Sequence, residues 1–224
     1  MTRITTLLFD IDGTLVDSNE YHVTAWQEVF REAGHDFPRD QIHGQIGKGG
    51  DNLLPALLPD LSEEAQEAIA EKHGPRYQKL YLDKVRPFPA ARDLLARGKE
   101  EGFTVALATS ANPEELDHYV ELLDAKELID VTTSKGDVEA TKPAPDIFAA
   151  AVDKAGVRPE EALVIGDTPY DVIAASKCGI RTIALLSGGF PEAELREAGA
   201  VAIYRGTADL LAQYDSSPIR SGVR

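Results

Sequence analysis

The first regular feature of the chain is a short, largely apolar run at 5–9 that ends on an acidic turn, and such a run bounded by a turn reads as a buried strand. From Ser18 the rhythm changes. Val23, Trp26, Phe30 and Ala33 recur at helical spacing, and Gly34 supplies a stop. Residues 37–60 are interrupted by Gly44, Gly47, Gly49, Gly50, Pro55 and Pro59, which predicts short helices joined by glycine turns. Ser62, followed by Glu64 and Ala65, opens a further helical run carrying Ile69, Tyr77, Leu80 and Tyr81. Gly74-Pro75 lies inside that run, so the helix is expected to be kinked or split.

Past Arg86-Pro87 a second rhythm begins. Strand-like runs stand at 103–110, 162–167, 181–186 and 200–204, with a weaker one inside 127–134. Helical stretches near 89–101, 113–125, 146–155, 169–178 and 191–199 separate them. Strands alternating with helices at short intervals predict an α/β fold: a Rossmann-like parallel sheet with helices on both faces. The first strand joins that sheet, which makes 17–86 a helical insertion between the first and second strands. The core is then 1–16 with 87–215, and the polar, patternless 216–224 is expected to be a flexible tail.

Composition narrows the picture. With 224 residues, 43% of them hydrophobic, the chain can bury one domain plus a smaller insertion, or two small domains. A formal net charge of -15 repels nucleic-acid backbones and argues against a polybasic membrane contact. The single cysteine, Cys178, leaves no internal disulfide or cysteine metal cluster, and reads as a small packing residue. No apolar run approaches the roughly 20 residues needed to span a bilayer. The N-terminal apolar stretch is too short for a secretory signal. A monomeric, cytoplasmic protein that binds neither nucleic acid nor membrane is the expectation.

Functional groups in a parallel sheet collect at the carboxyl ends of its strands. Here those ends hold Asp10, Asp12, Gly13 and Thr14, then Thr109, Ser110 and Asn112, then Lys142, and finally Asp167, Thr168 and Asp171. Two acids two residues apart repel each other. Asp10 and Asp12 are therefore either a solvated turn or part of a site where a metal and a phosphate need them. Four carboxylates, an ammonium and several hydroxyls on one rim are hard to explain as packing.

The segments DIDGT, Thr-Ser, Lys-Pro-x-Pro-Asp and GDTPYD occur in that order, each at a strand end. Together they resemble the haloacid dehalogenase-like (HAD) phosphohydrolases, in the helical-cap branch that includes phosphoglycolate phosphatase and β-phosphoglucomutase. The likeness covers nearly the whole chain, and the helical insertion stands where that family carries its cap. It implies a Mg²⁺-dependent phosphatase that hydrolyses small phosphorylated metabolites through an aspartyl-phosphate. Asp10 is then the nucleophile, already ionised at pH 7. Asp12 protonates the leaving alkoxide and afterwards deprotonates the incoming water. Thr109, with Ser110 or the local amides, holds phosphoryl oxygens, and Lys142 neutralises charge on the phosphate and on Asp10. The metal falls to Asp10, Asp167 and Asp171, with the main-chain carbonyl of Asp12. Gly13 lets the backbone turn tightly beside the ligand. A halide leaving group needs no proton, so Asp12 favours phosphoryl transfer over dehalogenation.

Several of these residues also admit a purely structural reading. Asn112 before Pro113 fits a helix N-cap, so it either caps or binds substrate. Thr168 to Asp171 has capping-box spacing, so Asp171 either serves the helix start or ligates the metal. Asp17 reads as a turn or cap acid at a hinge formed by Asp17–Ser18 and 85–87. His22 resembles a histidine that lies near the catalytic acid in the mutase branch, or it is a packing histidine. Lys48 is the only cation in the glycine-rich loop 44–54, where related enzymes place a substrate-contacting loop; it either reaches an anionic substrate group or is solvated. The mutase branch has an arginine there. Its absence weighs against the alternative function, a β-phosphoglucomutase-like sugar phosphomutase, because lysine does not reproduce a bidentate grip.

Overall fold

The computed structural model describes residues 3–221. Six strands form one sheet: β1 (Thr6–Phe9), β2 (Thr104–Ala108), β3 (Val131–Thr133), β4 (Ala162–Gly166), β5 (Arg181–Leu185) and β6 (Ala202–Tyr204). Their order is β3-β2-β1-β4-β5-β6, and every pairing is parallel. Each expected strand is present, trimmed at its ends.

Between β1 and β2 lie α1 (Asn19–Glu32), α2 (Arg39–His43), α3 (Gly50–Leu57) and α4 (Glu63–Leu80). The sheet is flanked by α5 (Ala91–Glu100), α6 (Pro113–Leu122), α7 (Asp146–Ala155), α8 (Pro169–Lys177), α9 (Glu192–Ala198), α10 (Thr207–Ala212) and α11 (Pro218–Ser221). The period-2 alternation of the strands explains this layering. Leu7, Phe9, Leu107 and Ile165 point to one face and pack with Leu94 of α5 and Leu116 of α6. Leu8, Ala106, Ala108 and Val164 point to the other, against Ile147 and Phe148 of α7 and Ala174 of α8. α1–α4 form a separate small core around Val23, Trp26, Phe30, Ile42, Leu53 and Ile69.

Two expectations are corrected. α4 is not split at Gly74-Pro75 but runs as one helix of 18 residues. Proline removes a single backbone donor there, and the buried Ile69 and Tyr77 anchor the helix on either side. Nor is the C-terminal segment wholly a free tail. Ser217 is fully buried and Ile219 joins the core cluster of Leu210 and Tyr214, because one apolar side chain is enough to dock a short helix. The last three residues of that expected tail lie outside the described residues, as do the first two of the chain. Among the described residues no helix is long and apolar enough to cross a membrane.

The topology places the site. After β3 the chain crosses back to set β4 beside β1, so the carboxyl ends of β1 and β4 are neighbours, and Asp10 N donates to Ile165 O at 2.9 Å. Such a switch in strand order opens a crevice at the strand ends. The helical layer of α1–α4 covers that crevice. Its two connections to the sheet run side by side, with Asp17 N bonded to Arg86 O and Phe88 N to Leu15 O, both at 2.9 Å.

Candidate active site

Asp10 and Asp167 leave adjacent strands and are bridged by Thr14, a strand-end residue to which the sequence assigned no role. Thr14 Oγ1 donates to Asp167 Oδ1 at 2.8 Å and lies 3.4 Å from Asp10 Oδ2. Asn19, at the start of α1, donates to Asp167 Oδ2 at 3.0 Å and to Gly188 O at 3.2 Å. The DIDGT segment contained Thr14, and its position just past the two acids was the available signal; nothing in the sequence marked Asn19. Gly13 has φ +74°, and a Cβ there would overlap both the Asp167 carboxylate and the Asn19 amide. The tight turn expected at Gly13 is therefore also a requirement of space.

Lys142 arrives from the loop before α7 and is fully buried. Its Nζ is hydrogen-bonded to Asp10 Oδ1, lies 2.7 Å from Asp171 Oδ1, and donates to Ala108 O at 3.2 Å. Asp171 also closes a capping box on α8: its Oδ2 accepts from Thr168 N at 3.0 Å and from Thr168 Oγ1 at 2.8 Å. Asp171 thus caps the helix with one oxygen and faces the ammonium with the other.

One oxygen from each of Asp10, Asp167 and Asp171 lies within 4.8 Å of the other two, and all three residues are buried. Burial pushes the Asp10 carboxyl up to about 7, although Lys142 pulls it down and Asp171 adds repulsion. Burial, then the charges of Asp10 and Asp171, raises Asp167 well above the carboxylate range. Burial works against the Lys142 ammonium, but Asp10 and Asp171 more than offset it and hold its pKa above the ordinary value. Three buried acids against one ammonium form an all-oxygen donor set short of positive charge. That set fits a hard divalent cation such as Mg²⁺.

Asp12 turns elsewhere. Its Oδ1 accepts from Ser18 Oγ at 2.6 Å and lies 3.1 Å from His22 Nε2. Burial alone would raise the Asp12 pKa, but the charge and hydrogen bond of His22, with help from Ser18 and Tyr119, lower it. Burial likewise opposes the imidazolium of His22, yet Asp12 raises its pKa. His22 is thus both packed among aromatic rings and paired with Asp12. Its Nδ1 lies 3.4 Å from His73 Nε2, and its ring stacks on Tyr77 with centroids 3.8 Å apart. Tyr77 and Tyr119 meet hydroxyl to hydroxyl at 2.5 Å, joining α4 to α6.

A cavity of about 280 Å³ opens between the sheet and the helical layer. Asp10, Asp12, Thr109 and Ser110 line it from the strand ends, and Trp26, Lys48 and His73 from above. Thr109 Oγ1 accepts from Ala111 N at 3.1 Å, and Ser110 Oγ is buried without a hydrogen-bond partner. A buried hydroxyl left open at the rim fits an oxygen-rich ligand. Asn112 is the N-cap of α6, accepting from Glu115 N at 2.9 Å, and it also lines the cavity. Lys48 donates to Gln45 Oε1 at 2.6 Å and sits over the Tyr170 ring. The strand ends thus bring together Asp10, Lys142, Asp167 and Asp171, with Thr109 and Ser110 beside them. Asp12 and His22 stand to one side as a pair.

Residues 7–185 match the profile of the haloacid dehalogenase-like hydrolases. A phosphoglycolate phosphatase of Aquifex aeolicus is 28% identical over 183 residues, which cover 81% of this chain and 84% of its own. A pyrophosphatase PpaX of Halalkalibacterium halodurans is 28% identical over 182 residues, with 80% and 82% covered. The crystal structure of a hydrolase from Pseudomonas syringae superposes with a TM-score of 0.88 at 34% identity, over 95% of this chain and 98% of that one. On that match and this architecture, the chain belongs to the haloacid dehalogenase-like hydrolase family.

Proposed function

We propose that the protein is a phosphatase of small phosphate monoesters that works through a phosphorylated Asp10. The observation behind this reading is the meeting of Asp10, Lys142 and Asp167 at one point, although Lys142 lies 132 residues from Asp10 in the chain. The ester enters the cavity with its phosphoryl oxygens toward Thr109 and Ser110. A carboxylate oxygen of Asp10 attacks phosphorus, and the ester oxygen leaves with the bond pair. Lys142 offsets the charge that gathers on the phosphoryl group. A Mg²⁺ ion held by Asp10 and Asp167 with the Asp12 carbonyl, and backed by Asp171, would supply Lewis-acid polarisation at this point.

The leaving oxygen needs a proton, and the Asp12–His22 pair holds one. With the proton on the His22 nitrogen that faces Asp12, the pair would pass it through the Asp12 carboxyl to the alkoxide. Asp12 then takes a proton from the water that attacks the aspartyl-phosphate, and inorganic phosphate departs. The helical layer acts as the cap that excludes bulk water before transfer. Among the described residues no arginine lines the cavity, and Lys48 is engaged by Gln45 and Tyr170. That supports water, rather than a phosphorylated sugar, as the acceptor.

The test is phosphate release from a panel of metabolite esters, with Mg²⁺ and with EDTA, for the wild-type chain and Asp10→Asn. Mg²⁺-dependent release by the wild-type chain, absent in a folded Asp10→Asn variant, is the expected result. Turnover that survives Asp10→Asn, or no release from any ester, would overturn the assignment.

A further inference from the structure

Thr141 immediately precedes Lys142 and is almost fully buried. Each of its polar atoms is bonded to one short segment of the helical layer. Its N donates to Asp51 Oδ2 at 2.9 Å, and its Oγ1 donates to Asp51 Oδ1 at 2.5 Å. Gly49 N donates to the same Oγ1 at 2.9 Å, and Asn52 Nδ2 donates to Thr141 O at 3.0 Å. A Cβ on Gly49 would come within 2.6 Å of both Thr141 and Asp51, so only glycine allows this approach. The start of α3 thus closes a clamp on one residue of the sheet domain, and the next residue delivers its ammonium to Asp10.

Other contacts also hold the helical layer down. His43 Nε2 lies 2.9 Å from Gly188 O, and Tyr170 Oη is hydrogen-bonded to Gly44 O. These reach the loop after β5 and the first turn of α8. The Thr141 clamp differs in acting on the backbone of the lysine loop itself. A side chain one residue from a clamped N, O and Oγ1 has little freedom in where its stem begins, and about 1 Å of displacement at a reacting centre can cost on the order of a hundredfold in rate.

Resting on the reading of Asp10 and Lys142 given above, we propose that Asp51 is a positioning residue: by gripping Thr141 when the helical layer closes, it places Lys142 against Asp10, so closure and assembly of the site are one event. In the open state the loop 140–142 is released, and the lysine is set only when the cap is down.

The experiment compares Asp51→Ala, Thr141→Val and Thr141→Ser with the wild-type chain, using p-nitrophenyl phosphate and Mg²⁺. Acrylamide quenching of Trp26, the only tryptophan, serves as a second readout. Trp26 lines the cavity beneath the helical layer, so quenching reads closure independently of turnover. Asp51→Ala and Thr141→Val should lose roughly ten- to a hundredfold in kcat with about the same KM, Thr141→Ser should recover most of it, and Asp51→Ala should quench more readily. The proposal is overturned if Asp51→Ala keeps wild-type kcat and quenching, or if Thr141→Ser is as impaired as Thr141→Val. A wild-type chain inert toward esters, with Trp26 still more exposed in Asp51→Ala, would refute the phosphatase assignment while supporting the clamp.

Discussion

Asp12 Oδ1 lies 3.1 Å from Nε2 of His22, so the second acid of the first strand end rests on an imidazole while Asp10 faces Lys142 and Asp167. Two carboxylates two residues apart are thereby separated by environment. In the function proposed above, one serves phosphorus and the other a proton, an arrangement that would let one loop perform both tasks.

The separation predicts a dependence on leaving group. With His22→Gln, Asp12 loses its proton source and its orientation. Turnover of alkyl phosphates should fall about a hundredfold, the typical worth of general acid catalysis. Turnover of p-nitrophenyl phosphate should fall much less, because that phenolate leaves without a proton. Steady-state kinetics on the two esters checks this. Equal losses on both would show that His22 supports only the fold.

Lys142 is the only cation in contact with Asp10 and Asp171 among the described residues. Removing one partner of a buried pair leaves uncompensated charge, at a cost of about 3–5 kcal/mol. Lys142→Met should therefore melt well below the wild-type chain. Because the acids are then wholly unbalanced, added Mg²⁺ should raise the melting temperature of the variant more than that of the wild type. Thermal melts with and without the ion test both statements, and equal Mg²⁺ gains would contradict the second.

Gly188 closes over the same acid from the loop after β5. A Cβ at that position would overlap the Asp167 carboxylate, and its carbonyl already accepts from Asn19. Gly188→Ala should cost about 1–3 kcal/mol by crowding. The sharper expectation is functional: Asp167 is displaced from Asp10, so stabilisation by Mg²⁺ and phosphate release should both fall. A variant that keeps the wild-type response to Mg²⁺ would show that Asp167 has room to move.

The parts of this molecule that were legible in the sequence are those written in local pattern. The strands at 162–166 and 104–108 are largely apolar runs, and Asp10 and Asp167 follow strand ends directly, where topology brings them together; Lys142 reaches them from the loop between β3 and α7. What was not legible depends on contacts across the chain. Thr14, Asn19 and Thr141 are ordinary polar residues until folding sets them against an acid or a loop from another element. Pro75 left a kink and a break equally open, and the packing of Ile69 and Tyr77 that keeps the helix unbroken is tertiary. Ile219 docks for the same reason, since a lone apolar residue carries no periodicity to read.

Glu115 gives the clearest dependence of stability on pH. It is nearly buried beside the cavity, accepts from Asn112 Nδ2 at 3.0 Å, and is pushed up to about 6 from an ordinary 4.5, chiefly by burial and against the pull of His22. The folded chain therefore binds this proton more tightly than the unfolded chain does. The associated stability is fully present below pH 4.5 and is lost as pH rises to about 6. A shift of that size corresponds to about 2 kcal/mol. Glu115→Gln keeps an oxygen for Asn112 and never ionises. It should match the wild-type chain near pH 4 and exceed its stability by up to about 2 kcal/mol at pH 7.5, a gain of roughly 4–8 °C for a chain of this length. Melting curves across that range decide the matter: an advantage that is the same at pH 4 and pH 7.5 would mean that packing, and not the buried charge, separates the two proteins.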